Sequence, residues 1–332
     1  MIRVGIIGFG YWGPVVARNF QSADRCQLAA ICDVNPAAQE RARKAHPGVT
    51  VTGDVADILH SPHIDAVAVI TPVWTHFEFA KAALENGKHV FVEKPFTASS
   101  AEASQLIDLA AAKKLQIMVD HTFLFTGAVR KIRQMIDEGV LGKLFYYDSS
   151  RVNLGLFQHD VNVIWDLAPH DLSIMNYLLD GQPECVIATG QGHLSGLEDM
   201  AYITVYFSSM VAHINVNWLS PVKVRTTLIG AEKKMVVWND LEADEKVKVY
   251  DKGVEVARGE GVYDLLVSYR TGDMWAPKID PTEALKLEAK YFSECIRQNQ
   301  TPFNDGIAGL RVVRLLEAAT QSLKDRGRPV QL

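Results

Sequence analysis

Short apolar runs alternate with amphipathic stretches through the first third of the chain. Runs that are apolar at every position are typical of strands buried on both faces, and the stretches between them have helical periodicity. The pattern therefore predicts βαβ units and a doubly wound parallel sheet, an α/β arrangement. The strand-like runs are Val4–Ile7, Leu28–Cys32, Ala66–Ile70, His89–Val92 and Gln116–Val119.

The pattern changes after about residue 121, where longer strands alternate polar and apolar positions. Such alternation predicts an open antiparallel sheet with one covered face, and hence a second domain of the α+β class. We therefore expect domains at residues 1–121 and 122–332. The predicted strands are Phe145–Val152, Glu184–Gly190, Ala201–Phe207, Val211–Trp218 and Lys223–Ile229, and the predicted covering helices are Gly127–Glu138, Asp171–Leu179, Pro281–Gln298 and Gly306–Lys324. The segment Gly253–Lys278 has four glycines and few periodic apolar positions, which indicates a long loop.

Composition excludes several classes of protein. The 332 residues are 48% hydrophobic and 22% charged, as in ordinary globular proteins, and no apolar run is long enough to span a bilayer. The net charge is −5, with no basic run that could neutralise a row of phosphates. We therefore expect binding neither to a membrane nor to nucleic acid.

The four cysteines form no C-x-x-C pair and have no histidine spacing suited to zinc. They indicate a reducing compartment and no metal site. The N-terminus begins with a strand-like run and lacks the ordered regions of a secretory signal, so we expect a cytoplasmic protein.

A glycine-rich motif, Gly8-Phe9-Gly10-Tyr11-Trp12-Gly13, fits G-x-G-x-x-G between a predicted strand and a predicted helix. In such a motif the first glycine permits the tight turn, the second lets the backbone approach a pyrophosphate, and the third lets helix and strand pack closely. The N–H groups at the helix start favour phosphate charge. The motif predicts a dinucleotide site.

Asp33 strengthens that prediction, because it stands 20 residues after the last glycine at the end of the second predicted strand. A carboxylate there can accept from the ribose hydroxyls. No arginine follows within several residues to hold a 2′-phosphate, and Arg41 is interpreted as part of a solvated helix face, so NAD is favoured. The alternative is that Asp33 only caps a helix beginning near Pro36.

Two further segments follow predicted parallel strands, at the edge where open α/β sheets bind ligands. They are Thr71-Pro72-Val73-Trp74-Thr75-His76 and Glu93-Lys94-Pro95. Pro95 disfavours helical backbone at Lys94, which indicates an ammonium group presented from an extended strand end. The expected cofactor contacts are Gly8, Phe9, Gly10, Tyr11, Trp12, Gly13, Asp33, Thr71, Pro72, Thr75, His76, Glu93 and Lys94.

The glycine-rich start, T-P-x-x-x-H, E-K-P, and Asp166 with His170 together resemble the Gfo/Idh/MocA oxidoreductase family along the whole chain. The resemblance implies an N-terminal Rossmann domain binding NAD(P). It also implies a C-terminal domain with a large open, mostly antiparallel sheet, commonly an oligomerisation surface, and hence a homodimer or homotetramer. Ala168 stands where many members have glycine.

The resemblance assigns Lys94, Asp166 and His170 to the catalytic site. His170 is expected to be the general acid/base, Asp166 its orienting partner, and Lys94 an electrostatic stabiliser or relay, with Lys94 as base the alternative. We also expect Asp166 to cap a helix, which would put Pro169 in the first turn. The other interpretation of His170 is a partly buried structural histidine.

G-Y-W-G-P, R-x-N-x-G and W-D-L-A-P-H-D are similar to family members that oxidise C3 of UDP-N-acetylglucosamine or its uronic acid. That similarity implies a sugar or nucleotide-sugar substrate. The expected substrate contacts are Lys94, Arg151, Asn153, Asn162, Trp165, Asp166 and His170, and His159 is a further candidate. Surface decoration is the alternative for Arg151, Asn153, His159 and Asn162. An inositol or free-sugar dehydrogenase, a keto-sugar reductase and a non-catalytic NAD or sugar sensor remain open.

Overall fold

A computed structural model describes residues 1–155, 158, 160–194, 196–258 and 265–332. The chain forms two compact units, each built from two stretches of sequence. The first unit contains Met1–Phe125 and Thr282–Arg314, and the second contains Thr126–Pro281 and Leu315–Leu332. Within the described ranges, no helix is long and apolar enough to cross a membrane.

The first unit contains a six-stranded parallel sheet in the order β3-β2-β1-β4-β5-β6. Its elements are β1 Ile2–Ile7, α1 Gly13–Ser22, β2 Cys26–Cys32, α2 Pro36–Ala45, β3 Thr50–Thr52, α3 Ala56–Leu59, β4 Ala66–Val69, α4 His76–Glu85, β5 His89–Val92, α5 Ser100–Lys113 and β6 Ile117–Val119. All four residues of β4 are fully buried, which explains its uninterrupted apolar sequence. The predicted parallel α/β sheet is confirmed.

The strand order reverses between β1 and β4, which are neighbours in the sheet. The glycine-rich motif follows β1 and the Thr71 segment follows β4. Ligands of open α/β sheets bind where the strand order reverses, at the carboxyl ends of the strands. The topology thus brings these two predicted segments to the same edge.

The second unit contains a nine-stranded sheet in the order β14-β13-β12-β11-β7-β10-β9-β8-β15. Its elements are α6 Gly127–Asp137, β7 Leu144–Leu154, α7 Val163–Leu178, β8 Cys185–Gln191, β9 Met200–Tyr206, β10 Val211–Asn217, β11 Leu219–Ala231, β12 Met235–Asn239, β13 Val247–Arg258, β14 Leu265–Trp275 and β15 Val330–Gln331. Two helices precede β15 in the chain. Helix α8, Ala284–Gln298, belongs to the first unit, and α9, Gly306–Lys324, is divided between the units at Arg314. β7 and β10 pair in parallel and the other described pairs are antiparallel. Along β10 every second residue is buried, so the predicted open, mostly antiparallel sheet is confirmed.

Helix α8 belongs to the first unit, whereas the sequence placed residues 282–314 in the second domain. Phe292 of α8 packs against Phe20 of α1 and Phe91 of β5, with ring centroids 6.3 and 5.8 Å apart. Phe20 and Phe91 lie 5.3 Å apart in an edge-to-face arrangement. The three buried rings make α8 part of the core of the first unit. Helical periodicity identifies an apolar face, but it does not tell which sheet that face covers.

The long loop predicted for Gly253–Lys278 is wrong for the described residues, because β13 and β14 pair there as a hairpin. Residues 259–264 lie outside the described part of the chain. Two of the four glycines that suggested a loop, Gly253 and Gly272, make room for side chains on the paired strand. A Cβ on Gly253 would lie 2.5 Å from Arg270, and one on Gly272 would lie 2.9 Å from Asp251. Arg270 and Asp251 pair with each other at 3.0 Å.

Candidate active site

The glycine-rich motif forms the turn between β1 and α1, and its three glycines meet different demands. Gly8 has φ +100°, and a Cβ on it would lie 2.1 Å from the carbonyl oxygen of Ile70. A Cβ on Gly13 would lie 2.6 Å from the carbonyl oxygen of Gly8. No atom lies within 4 Å of the Cβ position of Gly10, so the backbone there is open to a close ligand. These surroundings fit a dinucleotide pyrophosphate.

Asp33 lies directly after β2 and holds the glycine-rich turn. Its Oδ2 accepts the N–H of Phe9 at 2.6 Å, and its Oδ1 accepts the N–H of Asn35 at 2.8 Å. The alternative in which Asp33 only caps α2 is wrong, since the cap is Asn35, whose side chain accepts the N–H of Ala37. Each carboxylate oxygen can accept a second hydrogen bond, which leaves capacity for ribose hydroxyls.

Arg41 is exposed on its helix, as expected for a solvated face, and it also makes one contact with the glycine-rich turn. It lies on α2, and its Nη2 donates to the carbonyl oxygen of Phe9 at 3.3 Å. The guanidinium therefore contacts the backbone of Phe9, the same residue whose N–H donates to Asp33.

The Thr71 segment is fixed by His76, which is 1% exposed at the start of α4. Its Nδ1 lies 2.8 Å from the carbonyl oxygen of Pro95, and its Nε2 lies 2.8 Å from the carbonyl oxygen of Thr71. Burial lowers the pKa of this histidine. His76 thus joins two predicted ligand segments, and this position supports a structural role at the site. Thr75 donates to the hydroxyl of Thr71 at 2.7 Å, and this bond further orders the turn.

The Glu93-Lys94-Pro95 segment follows β5, and the peptide bond between Lys94 and Pro95 is cis. The N–H of Glu93 continues the sheet by donating to the carbonyl oxygen of Val69 at 3.0 Å. Burial and the positive charge of Lys94 lower the pKa of His121 to about 3, so that imidazole is neutral at physiological pH. The positive charge of Lys94 therefore acts on the imidazole of His121 and disfavours its protonation.

Trp12, which lies between Gly10 and Gly13, is anchored by a residue that sequence reasoning missed. Its indole Nε1 donates to Oδ2 of Asp120 at 3.1 Å. Asp120 is 1% exposed and directly follows β6. The rule that ligands bind beyond strand ends could have singled it out, because it comes immediately after a predicted strand.

Helix α7 carries Asp166 and His170 in the second unit. It begins at Val163, and its N-cap is Asn162, whose Oδ1 accepts the N–H of Trp165 at 3.2 Å. The expectation that Asp166 caps the helix is wrong, and so is the predicted start at Asp171. Asp166 lies in the first turn, where a carboxylate is favoured by the helix dipole, and Pro169 lies inside the helix.

Asp166 and His170 are four residues apart on α7 and therefore project from the same side of the helix. The indole Nε1 of Trp218 donates to Oδ2 of Asp166 at 3.0 Å. Trp218 is 1% exposed, so its ring is fixed by packing as well as by this bond. Asp166 and His170 are each half-buried, which leaves part of each side chain open to solvent.

Arg151 on β7 forms a buried ion pair with Asp171, the residue that follows His170. Its Nε lies 2.6 Å from Oδ2 and its Nη2 lies 3.3 Å from Oδ1. The Oδ1 atom also accepts the hydroxyl of Ser149 at 2.6 Å. Because Arg151 is 5% exposed, these contacts favour a role in fixing α7 over the predicted binding of a substrate carboxylate.

Of the other predicted substrate residues, Asn162 and Trp165 lie at the start of α7. Asn162 donates to Glu198 at 2.8 Å in addition to capping the helix, and the indole of Trp165 donates to Thr320 at 2.9 Å. Asn153 is half-buried on β7. His159 lies outside the described residues. The contacts of Asn162 and Trp165 order the helix, and their contact with substrate stays a prediction.

Sequence reasoning missed two further residues that hold the site, Asp171 and Trp218. Asp171 stands beside His170 in the recognised motif, and this adjacency was the available signal. Trp218 is far in sequence from Asp166, and no local pattern marks it. Among the described residues, no three histidine, cysteine or acidic side chains are placed to hold a metal ion.

Family models match both parts of the chain. Residues 2–121 match the model described as "Oxidoreductase family, NAD-binding Rossmann fold", and residues 129–236 match the "GFO/IDH/MocA C-terminal domain". The first match agrees with the geometry of the glycine-rich turn and Asp33, and NAD is the cofactor of this domain.

Individual relatives cover nearly the whole chain. UDP-N-acetylglucosamine 3-dehydrogenase of Acidithiobacillus ferrooxidans is 29% identical, covering 94% of each chain. The NAD(+)-dependent scyllo-inositol 2-dehydrogenase of Bacillus subtilis is 26% identical, covering 100% of this chain and 96% of its own. A solved structure of the A. ferrooxidans enzyme superposes with a TM-score of 0.81 at 26% identity over 98% of each chain.

Proposed function

Because the chain belongs to the Gfo/Idh/MocA oxidoreductase family, we propose that it oxidises a secondary alcohol of a sugar with NAD. The leading substrate is a UDP-N-acetylhexosamine or its uronic acid, oxidised at C3. The relative with that activity on UDP-N-acetylglucosamine covers 94% of each chain, which supports this choice. An inositol is the second candidate, supported by the scyllo-inositol 2-dehydrogenase that aligns with the whole chain.

The observation that carries the proposal is the pair of Asp166 and His170 on one side of α7, with Asp166 fixed by Trp218. Removing the hydroxyl proton of an alcohol at neutral pH requires a base, and an imidazole is the side chain best suited to that pH. A ring nitrogen of His170 takes this proton. The carboxylate of Asp166 orients the imidazole and stabilises its protonated form.

The cofactor would be held by the turn from Gly8 to Gly13, with its pyrophosphate at the start of α1 and a ribose at Asp33. NAD, when bound, supplies the acceptor for the hydride that leaves the carbinol carbon. Lys94 carries the positive charge that stabilises the developing alkoxide, a role taken from the family resemblance. Lys94 belongs to the first unit and His170 to the second.

Replacing the base tests the proposal. His170→Ala should leave the NAD dissociation constant unchanged and lower kcat on UDP-N-acetylglucosamine by about 10²- to 10⁴-fold. His213→Ala is the matched control, because His213 is a partly exposed histidine of the same unit on β10. Wild-type turnover by the His170 variant would contradict the proposed base, and normal NAD binding without turnover by the wild type would favour a sensor.

The expected homodimer or homotetramer stays a prediction. It is supported by large side chains exposed on the open face of the nine-stranded sheet, among them Tyr202 at 40% and Tyr206 at 43% on β9.

A further inference from the structure

Three carboxyl groups lie close together in the first unit, at the ends of β5 and β6 and on α8. They belong to Glu93, Asp120 and Glu288, and both glutamates are close enough to Asp120 for its charge to act on them. Asp120 is 1% exposed and Glu288 is fully buried. Three ionised carboxylates in such surroundings would repel one another strongly, so protons must reside in this carboxyl cluster.

The buried oxygens that lack a donor indicate where those protons belong. Oε2 of Glu93, Oε2 of Glu288 and Oδ1 of Asp120 are buried oxygens that receive no N–H or hydroxyl donor from the described residues. Ionised carboxylates only accept hydrogen bonds, so unprotonated groups could not satisfy one another. A proton on each glutamate turns both into donors toward Asp120. The second oxygen of Glu288, Oε1, already accepts the side-chain amide of Asn304 at 3.0 Å.

The neighbouring charges agree with this distribution of protons. Burial, and then the charge of Asp120, raise the pKa of both Glu93 and Glu288 well above the ordinary range. Lys94 acts in the opposite direction on Glu93. Two protons in the cluster leave one negative charge, and Asp120 is the member that both glutamates face.

Asp120 links this cluster to the cofactor turn. Its Oδ2 accepts the indole N–H of Trp12 at 3.1 Å, and Trp12 is the N-cap residue of α1. Its own N–H donates to the carbonyl oxygen of Val92 at 2.7 Å, immediately before Glu93 and Lys94. The open backbone at Gly10 lies two residues before Trp12. Asp120 thus contacts the glycine-rich turn through its carboxylate and the end of β5, just before Lys94, through its backbone N–H.

We propose that Asp120 is a positioning residue for NAD binding: an ionised carboxylate, held by the protonated carboxyl groups of Glu93 and Glu288, that fixes Trp12 and with it the glycine-rich turn. A turn already held in its binding conformation loses less conformational freedom when a ligand binds. The inference rests on NAD binding by the first unit and is independent of the sugar substrate.

Calorimetric titration with NAD tests the positioning role. Trp12→Phe removes the indole donor, and Asp120→Asn replaces the acceptor with a group that also carries donors. Each should raise the dissociation constant for NAD by roughly tenfold, the effect of losing a hydrogen bond to a charged group. The double variant should bind no more weakly than the weaker single variant. Asp108→Asn on α5 is the matched control, because it removes an exposed carboxylate from the same unit.

Unchanged NAD affinity in folded Trp12→Phe would overturn the proposal, and so would effects that simply multiply in the double variant. A carboxylate that only stabilises the fold would lower the melting temperature of Asp120→Asn without changing NAD affinity.

Infrared spectroscopy tests the protons without cofactor, substrate or a variant of Asp120. At neutral pH the wild type should show the carbonyl stretch of protonated carboxylic acid, and Glu288→Gln should lose part of that band. Identical spectra would overturn the proposal. Failure of the sugar assay alone, with these results in place, would instead count against the proposed substrate.

Discussion

Arg151 and Asp171 form a buried ion pair, with Nε of the arginine 2.6 Å from Oδ2 of the carboxylate. The pair connects β7 to α7 at the residue after His170. It therefore holds the helix that carries the candidate base, although neither residue projects as an open ligand group.

We expect Arg151→Met to lower the free energy of unfolding by about 3–5 kcal/mol, because it leaves the carboxylate of Asp171 buried without its cation. Denaturant unfolding of the two proteins measures this difference. Arg151→Met combined with Asp171→Leu should recover much of the loss, since an apolar pair of similar volume often replaces a buried ion pair without net cost. A stable Arg151→Met protein with a raised KM would instead restore the predicted contact with substrate.

Gly8 and Gly10 should respond differently to the same added methyl group. Gly8→Ala should reduce the yield of folded protein or lower its melting temperature, because the new Cβ would meet the carbonyl oxygen of Ile70 at 2.1 Å. Gly10→Ala should melt like the wild type, because no atom lies within 4 Å of its Cβ position, and yet bind NAD more weakly. Thermal melting and NAD titration separate the two effects. Wild-type NAD affinity in Gly10→Ala would show that the pyrophosphate does not approach this backbone.

Glu288 should make the stability of the protein depend on pH. Its pKa is raised in the folded state by burial and by Asp120, with Glu93 adding to the effect. Above about pH 4.3, the ordinary value for glutamate, the folded chain keeps a proton that the unfolded chain releases. The free energy of unfolding therefore falls as pH rises toward the folded pKa, by up to about 1.4 kcal/mol per pH unit.

Glu288→Gln carries no titrating proton at this position and should show a shallower decline. Denaturant unfolding of both proteins from about pH 5 to about pH 8 measures the difference, which should widen as pH rises. Asn304, which donates to Oε1 of Glu288, can also donate to the glutamine oxygen, so the comparison isolates the proton. Parallel curves for the two proteins would show that Glu288 is ionised in the folded state.

Much of the fold was predictable because periodicity reflects burial directly. The apolar run of β4 and the alternation along β10 each indicated the type of sheet in which the strand lies. The glycine-rich motif was equally informative, since the surroundings of Gly8, Gly10 and Gly13 differ as the sequence predicted.

The partners of the site residues were not predictable in the same way. Trp218 contacts Asp166 across 52 residues of sequence, and Trp12 contacts Asp120 across 108. Such pairs arise from tertiary packing, and the secondary-structure propensity of the local sequence does not indicate them. The same limit explains the misplacement of α8, whose apolar face is visible in the sequence while the rings it meets are not.

Nicotinamide fluorescence is the most direct test of NAD-dependent oxidation of a nucleotide-sugar by this protein. The NAD-loaded protein is mixed in parallel with UDP-N-acetylglucosamine, its uronic acid, myo-inositol and simple hexoses, and the appearance of NADH is followed. We expect NADH with a UDP-sugar and none with the others. NADH with inositol or a free sugar alone would contradict the proposed substrate, and silence across the panel with NAD bound would contradict the dehydrogenase itself.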